Sequence, residues 1–440
     1  MQEDEGFYLE RLKADKIDFL QIQFTDITGH LKSLTVPKNR FEDVLYDGIT
    51  FDGSSIPGFK PIENSDMKAM PDLSTYTIIS QNSLGKTARF ISKIFNPDGT
   101  RFDGDPRYVL ERQIDRLKKE NKHFYIGPEI EYFIFKRDDK NRPTVIPSDQ
   151  GVYFDKNTDS SILLKEEIVK RLEDIDYYPE ASHHEVAPGQ HEIDVKYADA
   201  ITMADRLIVI KSIVKDVAAK HGYYATFMPK PIKGINGSGM HVHQSIFNGD
   251  NNAFYDENNR YGLSKYALSY IAGILKNIKG ASPILAPLVN SYKRLVPGYE
   301  APVYICWANR NRSALVRVPA PSGKAKRIEL RFPDSTGNHY LQFAVMLGMG
   351  LDGIENKAEI PDPVERNVFE MPLNERAELG IETMPGSLGE AIKEMERSET
   401  IKEILGEHIF ENYIKLKRME WEDYTTYVTD WEINRYLEVY

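Results

Sequence analysis

Cysteine is nearly absent: Cys306 is the only one in 440 residues, which excludes an intramolecular disulfide framework. No stretch approaches the ~20 consecutive apolar residues that a membrane-spanning helix needs. The opening MQEDEGFYLERLKADKI carries acidic residues where an export signal needs a basic segment followed by an apolar one. Together these absences point to the cytoplasm. Excess positive charge is also lacking. Fifty-six Lys+Arg stand against 67 Asp+Glu, a formal charge of −11, so neither nucleic acid nor an anionic membrane is expected as the main partner. Internal repeats and low-complexity tracts are missing as well. What is present is globular composition, 41% hydrophobic, 28% charged and 11% aromatic, which argues against global disorder. At roughly 100–200 residues per domain, the length allows about two to four domains.

Strand and turn signals dominate the first hundred residues. Residues 18–24 alternate apolar and polar side chains, Asp26 to Gly29 reads as a turn, and 30–36 reads as the returning strand. Residues 75–80 and 88–95 add two more strands. Asp105-Pro106 then fits an N-cap followed by proline at the first helical position, predicting a helix over 107–121. The domain boundary is placed there, giving residues 1–103 and 104–440. Beyond it, strands alternate with helical stretches over 160–174, 203–221, 264–279 and 337–357 and after Ser387. The aromatic, amphipathic tail 424–440 is either a docked terminal helix or a segment that packs on a neighbouring subunit. Two phosphate-loop lookalikes are set aside. Gly348-Met-Gly350-Leu-Asp-Gly353 sits inside a helical period, and Gly85-Lys86-Thr87 lacks the leading glycine.

The informative feature is a set of strands with charges at period two, where alternate side chains share a face. Glu129 and Glu131 share one face, as do Glu192 and Asp194. His241, His243 and Ser245 line another, and Arg327, Glu329 and Arg331 a fourth. A single charged face is usually a solvated one. Four in one domain, including unscreened like charges, are better explained by sheet strands curling around a polar cavity that binds cations. Glu129, Glu131, Glu185, Glu192 and Glu329 offer five carboxylates near one or two imidazoles, an oxygen-dominated set suited to Mg²⁺ or Mn²⁺. The turn signal Pro188-Gly189 lets Glu185 and Glu192 face each other across a hairpin. Hard metals beside Arg294, Arg312, Arg317, Arg327 and Arg331 are the apparatus of phosphoryl transfer.

The ordered stretches Phe51-Asp52-Gly53-Ser54-Ser55, Glu129-x-Glu131, His184-Glu185-Val186-Ala187-x-Gly189-Gln190-x-Glu192, Asn236-Gly237-Ser238-Gly239-Met240-His241, Lys293 to Pro302, Asn311-Arg312-Ser313 and Arg327 to Asp334 resemble the type I glutamine synthetase family over most of the chain. The resemblance implies an α+β fold, an N-terminal β-grasp domain followed by a catalytic domain with an open, barrel-like sheet. It implies an ATP-dependent ligase that joins glutamate and ammonium through a γ-glutamyl phosphate, using two or three Mg²⁺ or Mn²⁺. It further implies a dodecamer of two hexameric rings with active sites between neighbouring subunits.

Carried over by position, Glu131, Glu185 and Glu192 would hold the metal on the glutamate side, and Glu129, His241 and Glu329 the metal that meets ATP. Arg294, Arg331 and the Asn236-Gly237 backbone would hold glutamate. His243, Ser245, Lys324 and Arg327 would meet ATP, with Glu180 and Tyr197 beside them, although Tyr197 has the wrong parity relative to Glu192 unless the strand bulges or ends. Arg312 and Arg317 would stabilise the transferring phosphoryl group. Asp52, Ser55, Glu185, Glu300 and Tyr153 would form the ammonium site, where a negative pocket concentrates the cation and Asp52 accepts its proton. Glu300, between Pro-Gly and Pro breaks, would lie on a flap that excludes water.

The 54 residues from Glu131 to Glu185 resemble the short form of the family, without the long-form insertion. Phe369 stands where long-form relatives carry the adenylylated tyrosine, which excludes that control. Pro61 replaces an arginine linked to feedback inhibition by glutamine, and regulation by other metabolites or by nitrogen-signalling proteins stays open. Two alternatives also remain: a γ-glutamyl–amine ligase of the same superfamily, and a catalytically dead binding relative. Asp52 and Ser55 favour ammonium over another amine, and the complete ligand set argues against a dead relative.

Overall fold

The computed structural model describes residues 4–299, 301–320 and 322–440. Ile17–Thr25 buries Ile17, Leu20, Ile22 and Phe24 and forms a hairpin with Leu31–Pro37. Gly85–Phe95 runs parallel to it on the other side. Asp66–Pro71 and Ile49–Asp52 complete the path, and Thr77–Asn82 also pairs with Gly85–Phe95. With Glu5–Ala14 and Phe41–Asp47 as its helices, this is the expected small N-terminal α+β unit.

Three of the expected strands lie within two residues of where the alternation puts them, and the fourth, Gly85–Phe95, begins three residues earlier than expected. Both helices, and the strands Ile49–Asp52 and Asp66–Pro71, come in addition. The glycine in Gly85-Lys86-Thr87 opens a strand, not a phosphate loop.

Pro106–Lys118 begins as the sequence predicts, with the Asp105 carboxylate accepting from the Arg107 N–H at 3.0 Å. The Arg107 guanidinium is buried and paired with Asp72 of the N-terminal unit at 3.0 Å and with both oxygens of Asp205 at 3.2 and 3.1 Å. Asn338 works in the same way. Its Oδ1 caps the helix His339–Glu355, while its Nδ2–H donates to the Asp26 carbonyl at 2.8 Å. A helix start is thereby locked to the first sheet.

Among the described residues, the second sheet has eleven strands and is organised around Lys122–Arg137. Met240–Asn248 and, further along, Tyr223–Thr226 pair with it on one side; Gln190–Val195 pairs with it on the other. The sheet continues from Met240–Asn248 through Ile328–Leu330, Val316–Val318 and Trp307–Asn309. Its apolar face packs on helices Ala200–Lys220, Lys265–Leu285 and His339–Glu355. The last two approach so closely that a Cβ on Gly353 would lie 2.6 Å from Gly273 Cα and 2.1 Å from the Ser269 carbonyl oxygen. The glycines of the discarded dinucleotide pattern are therefore packing residues.

The tail meets its own chain at Tyr424, whose ring lies under Lys293 Nζ at 5.2 Å, and is largely exposed beyond it. Asp430–Tyr436 leaves Trp431 60% and Tyr440 99% exposed. Among the described residues, no helix is long and apolar enough to cross a membrane.

Candidate active site

Strand register puts the charges on one face. Glu192 lies opposite Glu131, and Asp194 opposite Glu129, across one strand pair. His241 faces Glu129 across the next pair, His243 faces Glu329, and Arg317 faces Glu329 beyond that. Directly opposed residues share a face. The intervening Ile130, Ile193, Val242, Ile328 and Leu330 are fully buried on the other side. This alternation is what forces so many ionisable groups together.

Two recesses flank the face. The larger, about 400 Å³, is lined by Glu129, Asp194, Glu180, Tyr197, His243, Ser245, Lys324 and Arg327. All six residues expected to meet a nucleotide are brought together there. Tyr197 reaches it because the strand Gln190–Val195 ends before it, so the parity count no longer applies; its ring packs edge-on against Tyr125 at 5.7 Å. The smaller recess, about 40 Å³, is lined by Glu131, Glu185, Gln190, Asn236, Gly237, His241, Arg294, Tyr299, Ala301 and Arg331.

Donor atoms converge in three overlapping triads, each with its atoms within 4.8 Å of one another: Glu129, His241 and Glu329; Glu131, Glu192 and His241; and His183, Glu185 and Glu192. The first matches one expected ligand set. The other two share Glu192, so Glu131, Glu192 and Glu185 follow one another along the face, with His241 and His183 between them. Carboxylates outnumber imidazoles and no thiolate is near, a donor set that fits a hard divalent cation.

Electrostatics divides the face. Burial works against ionisation of Glu129, but hydrogen bonds to His241 Nδ1 at 3.0 Å and His243 Nε2 at 2.7 Å hold it well below the usual carboxylate range. Burial likewise opposes ionisation of Glu329, which is nonetheless lowered by Arg331, whose Nη1 lies 2.8 Å away, and by His241. Arg317 pairs with the other oxygen of Glu329. In contrast, burial and repulsion from Glu131, Glu129, Asp194 and Glu185 push Glu192 far above its ordinary value. Burial and Glu129 push Asp194 up to about 6.

The remaining expected residues fall less neatly. Arg294 lines the small recess, but its guanidinium donates to the carbonyls of Phe332, Pro333 and Arg331 at 2.9, 3.1 and 3.2 Å. Arg331 Nε is buried without a partner among the described residues. Arg312 is exposed on the loop before Val316–Val318. Tyr153 stacks on Phe154 with centroids 4.0 Å apart and meets His183 edge-on at 5.5 Å. Asp52 and Ser55 line neither recess. Hydrogen bonds from Ser54 and Ser55 hold Asp52 at a pKa of about 2, so it is ionised at neutral pH. Glu300 lies outside the described residues.

Three residues join the site beyond those expected. Asp194 could have been promoted, since it shares its parity with Glu192. His183 Nε2 sits 3.1 Å from Glu192 Oε1 and adjoins the His184-Glu185 pair. Gln190 donates to Glu131 Oε2 at 3.0 Å, and an amide leaves no comparable signal in a sequence.

Residues 16–97 match the family model for the glutamine synthetase β-grasp domain, and 103–436 match that for the glutamine synthetase catalytic domain. The chain is 48% identical over 438 residues to glutamine synthetase from Thermus thermophilus, covering 98% of each. It is 49% identical over 441 residues to that of Methanocaldococcus jannaschii, covering 98% of this chain and 97% of the relative. Among solved structures, a GmaS–ADP complex superposes with a TM-score of 0.88 at 30% identity, over 98% of this chain and 99% of that one. Plasmodium falciparum glutamine synthetase superposes with a TM-score of 0.87 at 26% identity, over 98% of each.

Fold and site thus define a two-domain α+β enzyme of the class that uses ATP with a divalent metal, with a β-grasp unit ahead of a curled catalytic sheet. The chain belongs to the glutamine synthetase family, the ATP-dependent ligases that form glutamine from glutamate and ammonium and so assimilate nitrogen.

Proposed function

We propose that this chain carries out the family's reaction through a γ-glutamyl phosphate, with ATP in the larger recess, glutamate in the smaller, and two or three Mg²⁺ or Mn²⁺ along the face between them. The observation that carries this is the shared face itself: a recess with Lys324, His243 and Arg327 on its wall beside Glu129, Glu180 and Asp194, and an acid–guanidinium recess, meet at one row of carboxylates. Glu129, His241 and Glu329 would hold one cation, and Glu131, Glu192 and Glu185 the other. When bound, such cations neutralise the phosphate oxygens and hold donor and acceptor in line.

The protein's own residues do the rest. Arg327, Lys324 and His243 orient the triphosphate, and Arg331 with the Asn236-Gly237 backbone orients glutamate. The γ-carboxylate oxygen attacks the terminal phosphorus, the bond to the β-phosphate oxygen breaks, and ADP leaves. Arg312 and Arg317 stabilise the charge spread over the phosphoryl oxygens. Ammonium then gives a proton to Asp52, its nitrogen attacks the acyl carbon, and phosphate departs.

Asp52 and Ser55 line neither recess, and the tail around Trp431 is exposed. Both features support an assembly of two hexameric rings in which the N-terminal unit of one subunit, with boundary at 103/104, closes the site of its neighbour. We also place the enzyme in the cytoplasm, where nitrogen-signalling regulators would reach it.

Phosphate release from Mg²⁺-ATP is the test. The expected result is release that requires both glutamate and ammonium. Release only with another amine would move the chain to the γ-glutamyl–amine ligases, and none, with or without 2-oxoglutarate, would make it a binding protein.

A further inference from the structure

Behind the catalytic face lies a second group of metal-type donors that the reaction does not use. His184 and His191 are direct partners across the hairpin Pro179–His184/Gln190–Val195, so their rings share the face opposite Glu192. Asp149 reaches them from the loop that also carries Tyr153. All three are buried, the side chains of His184 and Asp149 being 0% and 3% exposed. Their donor atoms lie within 4.8 Å of one another. Neither ring nitrogen of His191 has a hydrogen-bond partner among the described residues, although the side chain is 0% exposed. A buried imidazole with both nitrogens unanswered is rare, because each forfeits the hydrogen bonds it would make in water.

We propose that Asp149, His184 and His191 form a structural metal centre of zinc type. Two imidazoles and one carboxylate are a zinc donor set, unlike the oxygen-dominated catalytic face, with a fourth position for water. Donors on a tetrahedral zinc sit ~3.4 Å apart, so the set closes by up to ~1.4 Å on binding. The surroundings already hold the ligands in place. The His184 Nδ1–H donates to the Glu185 carbonyl at 2.7 Å, which turns Nε2 towards Asp149, 2.9 Å away. Asp149 Oδ1 is fixed by the N–H groups of Gly151 and Gly189 at 3.2 and 3.1 Å. The ion takes the place of the proton shared by Nε2 and the carboxylate. A Cβ on Gly151 would stand 2.7 Å from His184 Nε2, so glycine keeps the approach open. The nearby Lys165 charge is answered by Asp159. The centre ties the loop of Tyr153 to the hairpin that presents Glu185 and Glu192, and so positions catalytic ligands from behind.

The test uses the full chain exposed to Zn²⁺ and then dialysed against excess Mg²⁺. The expected result is one retained zinc per chain by mass spectrometry, with an anomalous peak at the zinc edge among Asp149, His184 and His191. His191→Phe should lower retention at least tenfold. No retained zinc, or a peak only on the Glu129–Glu329 face, would overturn the proposal. Should His191→Phe fail to fold, Co²⁺ in the unaltered protein decides. Intense tetrahedral visible bands that persist in excess Mg²⁺ support the centre; weak octahedral absorption alone contradicts it. Neither readout depends on glutamine formation.

Discussion

Glu329 and Glu192 stand on the same sheet face and are both buried, yet their surroundings are opposite. Glu329 is clasped by Arg317 and Arg331 with His241 nearby, so its charge is answered within the protein. Glu192 faces Glu131 across the strand pair and has Glu185, Asp194 and Glu129 around it, with His183 as its nearest nitrogen. One corner is complete as folded, and the other is short of positive charge. The lesson is that cation demand is not spread evenly over the site. The Glu192 corner has most to gain from a divalent ion, whereas an ion at the Glu329 corner must share its ligand with two guanidinium groups. A carboxylate cluster left uncompensated costs stability, and proteins keep such clusters where a ligand repays that cost.

Substitutions should separate the corners by sign. The largest effect is expected from Glu329→Gln, which strands the buried Arg331 and the half-buried Arg317 guanidinium charges. ADP formation should fall about a thousandfold, and the metal-free protein should lose ~3–5 kcal/mol in denaturant titration. Near-normal turnover would remove Glu329 from the reacting centre. Glu192→Gln should cost at least about a hundredfold in activity while making the metal-free protein more stable, by ~1–3 kcal/mol at neutral pH, because folding no longer forces a proton onto a buried carboxyl that is ionised in the unfolded chain. Destabilisation by both variants would erase the contrast.

A buried group outside both corners sets the pH baseline. Burial, and then Lys211, lowers His339 to a pKa of about 3, and its Nδ1 meets only Gln342 Oε1 at 3.0 Å. The folded chain therefore keeps His339 neutral where the unfolded chain protonates it. Stability is full above pH ~6.5 and is lost as pH falls from there towards about 3. His339→Gln should flatten that acid limb in thermal melts recorded from pH 7 to pH 4. An unchanged limb would assign it to other groups.

Much of this was legible in the sequence, because strand parity is a covalent rule. Period-two spacing grouped the charges of each strand on one face, and the need to answer so many like charges put Glu129, Glu131, Glu192, His241 and Glu329 around one cavity. Asp105-Pro106 marked the start of its helix to the residue, although the helix ends at Lys118, three residues short of 121. Legibility failed where chain geometry departs from the period or where distant segments meet. Tyr197 escapes the count because its strand stops at Val195. The strand Asp66–Pro71 hides behind two charged residues and a terminal proline, and Glu5–Ala14 has too weak an apolar stripe to stand out. The clasp of Arg317 and Arg331 on Glu329 could not be foreseen, since spacing gives a face but not a rotamer. The link from Asp149 to His184 and His191 crosses a loop with no period of its own.

The difference between the corners is tested most directly by titrating Mn²⁺ into the metal-free protein and counting bound ions by the loss of the free-ion paramagnetic signal. Wild type should show a tighter and a weaker class of site. Glu192→Gln should weaken the tighter class about tenfold or more and leave the weaker one in place. A Glu192→Gln protein that keeps the tight class and loses only the weak one would contradict the assignment of cation demand to the Glu192 corner.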